Sequence, residues 1–320
     1  MNIHTNLLSC IGHTPLVRLD RFYPPHRGTF LSAKLEYLNP GGSVKDRIGL
    51  AMIDDAEARG TLRPGGTIVE PTAGNTGIGL ALVAAVRGYR CIFVIPERFS
   101  WEKQELLRAL GAEIVHTPTR DGIEGAIVEA RRLAAATPGA VVMQQFANPA
   151  NVTAHYRTTA AEIWEQTDGQ LDVVVLGAGT GGTFTGITRY LKERNPRLHA
   201  VIVQPYGASL GQGYAGSHKI EGIGIDNIET AAILDRSLID QVVVVRDEEA
   251  HQALKELARC EGILVGSSSG AAAHAARVVA EQVVKGELAA GGGHIVTLFP
   301  DGADRYLSKH IYGAFEEWKA

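Results

Sequence analysis

Short runs of apolar, β-branched residues alternate with amphipathic stretches along most of the chain, the pattern of helices packed on a mostly parallel sheet. Strands are predicted over 67–69, 90–95, 113–116, 140–143, 172–176, 200–203, 241–245 and 294–299, several of them apolar on both faces. Between them the spacing predicts helices over 45–59, 75–87, 101–110, 123–135, 153–166, 183–194, 248–260 and 271–284. The fold class is therefore α/β. A Pro- and Asn-containing turn in QQFANPANVT closes one doubly wound half near Phe146 and opens another. The stretch from Gln204 to Asp235 has no clear period and many glycines, and a loop of that length inside a compact domain is usually functional. It is expected to form a lid or pocket wall.

Composition narrows the picture. With 320 residues, 45% hydrophobic and 21% charged, the chain suits a folded protein of two lobes, each of roughly 150 residues. A formal charge of −4, with Lys and Arg scattered, supplies no field for nucleic acid or acidic lipid. Cys10, Cys91 and Cys260 lie far apart with no C-x-x-C, so neither a disulfide framework nor a thiolate metal cage is indicated. The 11 histidines form no H-E-x-x-H, and no metal is expected. There is no signal-peptide pattern and no run of roughly 18 apolar residues, so a cytoplasmic location without membrane insertion is expected. Glycine is the outlier. Its 37 residues exceed the usual share of about 7% and cluster after apolar runs, where the backbone must approach something.

Four of these clusters could carry chemistry. Gly177–Thr183, GAGTGGT, follows a strand and opens a helix, so free N–H groups and the helix dipole suit a phosphate. It also satisfies G-x-G-x-x-G, but the acid that a dinucleotide ribose requires is missing where HAVIVQP ends in Gln204 and Pro205. Glu70–Gly79, EPTAGNTGIG, adds the side chains of Thr72, Asn75 and Thr76 to a second strand-to-helix turn; it suits a carboxylate, or else simple N-capping. In NPGGSVKDRIG, Lys45 sits at a helix start, where the dipole disfavours an ammonium and helps an amine act as nucleophile or base, although a solvated surface lysine is the default reading of such a residue. It lacks the Walker spacing. GILVGSSSGAA reads as strand, small-residue turn and helix, and presents Ser267, Ser268 and Ser269 without a nucleophile elbow.

Taken in order, NPGGSVKDR, EPTAGNTGIGLA, QQFANPAN, GAGTGGTFTG, EGIG and VGSSSGAA, with IGHTPLVRL before and RYLSK after, resemble the cysteine synthase and cystathionine β-synthase family of fold type II pyridoxal-phosphate enzymes. The resemblance spans almost the whole chain. It implies two open-sheet lobes of tryptophan synthase β-like architecture: a smaller one over 36–147, and a larger one formed by 1–35 and 148–320. It implies that pyridoxal 5'-phosphate forms an aldimine with Lys45, and that its phosphate lies on Gly179, Thr180, Gly181, Gly182 and Thr183. Asn75 would face the ring oxygen and Ser268 the pyridine nitrogen. The substrate carboxylate would rest on Thr72, Ala73, Gly74, Asn75 and Thr76, with Gln145 completing the pocket. The implied reaction is β-replacement on O-acetylserine or serine through an α-aminoacrylate, yielding cysteine with sulfide or cystathionine with homocysteine. Lys45 would serve as anchor and base, and the protein would be a homodimer.

Some positions depart from the family pattern. Ala73 stands where cysteine synthases carry a serine. Gln204 and Tyr206 replace frequent acids, which is expected to change the charge at the pocket mouth. TTAAEIW and EGIGID lean toward the cystathionine-forming branch. No haem segment or paired regulatory modules are expected, and Cys10 is not expected to bind haem. The alternatives are a serine/threonine dehydratase of the same fold and a cofactor-binding scaffold that docks a partner such as serine acetyltransferase. Intact Lys45 argues against a dead enzyme.

Overall fold

The computed structural model describes residues 3–72, 74–97, 100–210, 216–225, 231–288 and 293–313. Along the chain, β1 (Leu16–Arg18) and β2 (Phe30–Leu35) precede α1 (Lys45–Ala58), β3 (Thr67–Glu70), α2 (Asn75–Arg87) and β4 (Arg90–Pro96). Next come α3 (Trp101–Ala109), β5 (Glu113–Thr117), α4 (Gly122–Ala136), β6 (Ala140–Val142) and α5 (Pro149–Ala154). A π-turn, His155–Thr159, leads into α6 (Ala160–Gln166), β7 (Val173–Gly177), α7 (Gly182–Arg194), β8 (His199–Pro205) and β9 (Gln241–Val245). The chain continues through α8 (Asp247–Cys260), α9 (Ser267–Lys285) and β10 (His294–Phe299).

Two compact units result: residues 1–12 with 39–154, and residues 13–38 with 155–320. Residues 1–12 and 148–154 thus group with the smaller unit, although the family resemblance placed them in the larger; residues 36–38 move the other way. Leu8, Ala150 and Ala154 are buried in one apolar core with Ile48, Met52 and Ile53 of α1, which draws both segments in.

The smaller unit contains a four-stranded parallel sheet of order β5-β4-β3-β6. β3 is buried at every position, as a parallel strand covered on both faces must be. The strand order reverses between β3 and β6, and ligands of open α/β sheets bind beyond the strand ends at such a point. The larger unit has a six-stranded sheet of order β1-β2-β10-β7-β8-β9, parallel except for β1 against β2. Its reversal lies between β7 and β10. Its core joins Val173 and Val175 of β7 to Ala271, Ala275 and Val279 of α9.

The predicted strand before the serines is absent: Gly262–Val265 contributes only a single bridge, Val265 to Gly302, and α9 begins at Ser267 rather than Ala271. Conversely, β1 and β2 were missing from the predicted elements. Among the described residues, no helix is long and apolar enough to cross a membrane, and no group of His, Cys, Asp or Glu could hold a metal ion.

Candidate active site

In the smaller unit the expected residues gather around the β3–β6 reversal. β3 ends at Glu70, the chain turns through Thr72 and Gly74, and α2 starts at Asn75. Thr72 Oγ1 accepts the Gly74 N–H at 3.3 Å. From the loop after β6, Gln145 Oε1 accepts the hydroxyl of Thr76 at 2.6 Å, and both residues are buried. Ala73 lies outside the described residues.

The Gln145 loop is held by a group that the sequence reading passed over. The Glu70 carboxylate accepts the N–H of Gln144 at 2.9 Å and that of Gln145 at 3.1 Å. Gln144 is thereby kept at a φ of 57°, uncommon for a residue with a side chain. Burial pushes the Glu70 carboxyl above its ordinary value, while the Gln145, Gln144 and Met143 N–H groups oppose that shift. An acid directly after the apolar run 67–69 was the signal available in the sequence.

Lys45 is the first residue of α1 and is partly buried; its N–H donates to Ser43 Oγ at 3.2 Å. It is brought beside the first turns of α2 by a glycine contact. A Cβ on Gly79 would lie 2.6 Å from the Lys45 carbonyl oxygen, and one on Gly49 would lie 2.6 Å from the Gly79 carbonyl carbon. The backbones of α1 and α2 touch there because neither glycine has a side chain. This answers, for one cluster, what the glycines approach: the neighbouring helix.

In the larger unit, Gly177–Thr183 links β7 to α7. Gly181 has φ of 89°, and Thr180 Oγ1 accepts the Gly182 N–H at 3.3 Å. The glycines again meet protein: a Cβ on Gly179 would lie 2.6 Å from the Gly222 carbonyl oxygen, and one on Gly177 would lie 2.7 Å from Ile223. Residues 220–225, within the stretch expected to be a lid or wall, therefore press on this loop. Residues 211–215 and 226–230 of that stretch lie outside the described residues. Glu221 N–H donates to Ser267 Oγ at 3.0 Å, which ties the same strap to the first turn of α9 beside buried Ser268.

His155 also reaches this loop. Fully buried in the π-turn, its Nε2 lies 3.1 Å from Thr183 Oγ1 and its Nδ1 lies 2.9 Å from Thr159 Oγ1. π-turns inside α-helices occur frequently at functional places; in the sequence the histidines carried no motif that singled out His155.

These positions fit a phosphorylated, carboxylate-bearing ligand set by their donor chemistry. α2, α7 and α9 each begin after a glycine, Gly74, Gly181 and Gly266, with no side-chain cap bond and no acid in the first turn. By contrast α3 is capped by Ser100, and at α8 the Glu249 carboxylate accepts the Arg246 N–H. A helix start with no acid in its first turn turns the positive end of the helix dipole toward an external anion. A hydroxyl at Ser268 and an amine at Lys45 are the groups that a neutral pyridine nitrogen and an aldehyde require.

Comparison with known proteins agrees. Residues 7–301 match the family model described as pyridoxal-phosphate dependent enzyme. The chain is 47% identical over 312 residues to the O-acetylserine dependent cystathionine β-synthase of Bacillus subtilis (strain 168), covering 98% of this chain and 99% of that protein. It is 45% identical over 313 residues to a cysteine synthase of Helicobacter pylori (strain ATCC 700392 / 26695), covering 98% of this chain and 100% of that one. The crystal structure of the Helicobacter pylori O-acetylserine dependent cystathionine β-synthase superposes with a TM-score of 0.88 at 46% identity, over 98% of this chain and 100% of that chain. The chain belongs to the pyridoxal-phosphate-dependent enzymes and, within them, to the cysteine synthase and cystathionine β-synthase family.

Proposed function

We propose that this enzyme replaces the β-substituent of O-acetylserine with a sulfur nucleophile, giving cysteine from sulfide or cystathionine from homocysteine. The observation that carries this reading is Lys45 held by the Gly49–Gly79 contact beside the uncapped start of α2, in the unit where Gln145 and Thr76 close the adjoining loop. Acetate leaves more readily than hydroxide, which favours O-acetylserine over serine as donor.

Pyridoxal phosphate supplies, when bound, the electron sink that acidifies the substrate Cα–H and lets the β-substituent depart. Thr72, Gly74, Asn75 and Thr76 hold the substrate carboxylate through hydroxyls and the first-turn N–H groups of α2. Glu70 fixes the loop that presents Gln145 to the same pocket. The Lys45 amine removes the Cα proton, keeps it through expulsion of acetate, and returns it after the thiol has added at Cβ. Gly179–Thr183 and the start of α7 would hold the phosphate, with His155 orienting Thr183. Ser268 would offer the pyridine nitrogen a hydroxyl, which does not force that nitrogen to stay protonated. The enzyme is expected to act as a homodimer in the cytoplasm.

Mass analysis of products from O-acetylserine, with sulfide or homocysteine supplied in turn, tests the reading. Incorporation of the thiol, with release of one acetate per product, is the expected result. A keto acid and ammonia formed with no thiol incorporated would instead make the protein a β-eliminating enzyme, and the same products from serine a dehydratase.

A further inference from the structure

We infer that Thr185 is a positioning residue whose hydroxyl latches residues 233–235 onto the start of α7, so that Leu234 braces Gly181 and keeps the phosphate cradle formed before the cofactor arrives. This deepens the proposed phosphate role of Gly179–Thr183 and rests on it. The stretch expected to form a lid or wall starts at Gln204, which is completely buried and accepts the Ile225 N–H at 2.9 Å, and so does not lie at a pocket mouth. The far end of the stretch runs past α7. There Thr185, the fourth residue of that helix and buried, donates its hydroxyl to the Ile233 carbonyl at 3.0 Å and accepts the Asp235 N–H at 2.9 Å. Between these two contacts Leu234 lies against the loop: a Cβ on Gly181 would be 2.6 Å from Leu234 Cβ and 2.9 Å from its Cα. The Leu234 N–H closes a turn on the Ala231 carbonyl at 3.0 Å.

The latch stands one helical turn from the loop it steadies. Gly181 immediately precedes α7 at a φ of 89°, and its carbonyl accepts the Thr185 N–H at 2.9 Å, so the two residues share the first hydrogen-bonded turn. Glycine visits both signs of φ with similar ease, and Gly181 has no side chain to hold the left-handed conformation. The restraint comes from its surroundings, and Leu234 supplies one side of it. Two hydrogen bonds of opposite sense on one side-chain atom call for a hydroxyl; valine has the shape of threonine and neither function, whereas serine keeps both. Without that oxygen the Asp235 N–H and the Ile233 carbonyl each lose a partner at a part-buried place. One turn further along the same face of α7, Arg189 pairs with the Asp235 carboxylate at 3.2 Å. That pair is partly exposed and farther from the loop, so it holds the strap weakly and serves as a control.

The test compares the dissociation constants of pyridoxal phosphate and of pyridoxal for the apoprotein, by fluorescence titration. Thr185→Val is expected to weaken pyridoxal phosphate about tenfold, as follows when the formed cradle is populated in about one molecule in ten. Pyridoxal, which has no phosphate to seat, should stay within about twofold of its value for the unaltered protein. Thr185→Ser and Arg189→Ala should bind both probes within about twofold of that protein. In the apoprotein the Asp235 amide should exchange with deuterium faster in Thr185→Val and at the original rate in Thr185→Ser. Unchanged affinity of Thr185→Val for pyridoxal phosphate, an equal loss for the two probes, or a loss in Thr185→Ser as large as in Thr185→Val would overturn the latch. If Thr185→Val does not fold, Thr185→Ala replaces it and the same results decide. An unaltered protein that binds pyridoxal phosphate no more tightly than pyridoxal would strike the phosphate reading itself, whatever the variants do.

Discussion

Replacing Gly79 by alanine probes whether backbone contact between α1 and α2 is what brings Lys45 to the start of α2. The new Cβ would lie 2.6 Å from the Lys45 carbonyl oxygen, 2.9 Å from its carbon and 3.2 Å from Asp46 Cα, all backbone atoms that no rotamer change can move. Relief requires the helices to part by roughly 1 Å. Overpacking of this kind costs about 1–3 kcal/mol, against about 1 kcal/mol gained from the better helix propensity of alanine. Net stability should therefore fall by up to about 2 kcal/mol. Activity should fall further, because a shift of about 1 Å between reacting groups can cost about 100-fold. Gly77→Ala on the same helix is the comparison, since its Cβ meets nothing closer than 3.3 Å, the distance of both Leu107 Cδ2 and the Thr72 carbonyl oxygen. Urea melts and kcat/KM for both variants are the assay. A Gly79→Ala protein that is more stable than the original and fully active would refute the reasoning, since that is what propensity alone dictates.

Glu70→Gln should raise KM for the amino-acid substrate about tenfold with a smaller change in kcat, because an amide donor would then face one of the Gln144 and Gln145 N–H groups; an unchanged KM contradicts the positioning role. Burial pushes the Cys91 thiol up to about 12, whereas Cys10 is exposed. An alkylating reagent at about pH 8 should label Cys10 readily and Cys91 only after denaturation, as peptide mass spectrometry would read. Burial also lowers the His294 imidazole below its ordinary value, where neutral His294 donates from Nδ1 to the Gln170 carbonyl and accepts from Ser32 at Nε2, each at 2.7 Å. As pH falls below about 6.5 the unfolded chain takes up that proton first, so stability present at neutral pH declines toward the lower folded value. His294→Gln should flatten this decline in urea melts, and equal slopes would count against it.

The apolar β-branched runs made most strands legible: Gln241–Val245 and His294–Phe299 match the prediction to the residue, as does helix Asn75–Arg87. β2, FLSAKL, was overlooked because Ser32 and Lys34, although buried, read as polar. Their satisfaction depends on distant partners: Lys34 Nζ donates to Gln166 Oε1 at 2.8 Å and pairs with Glu162 at 2.7 Å. The helix expected over 153–166 begins at Pro149 and loosens into the π-turn at His155, which no periodicity marks. The candidate site was visible as glycine-bounded strings, yet what the glycines approach was not. Gly49, Gly79 and Gly179 answer to atoms far along the chain. For the same reason Glu70, His155 and Gln204 were missed or misplaced, since their partners are set by the fold and not by neighbours in sequence.

Borohydride reduction of the protein loaded with pyridoxal phosphate, followed by peptide mass spectrometry, tests the central claim most directly. The account predicts one cofactor per chain fixed on the peptide containing Lys45, and none on that peptide in Lys45→Ala. Cofactor fixed on another lysine, or no fixed cofactor while thiol replacement proceeds, would contradict it.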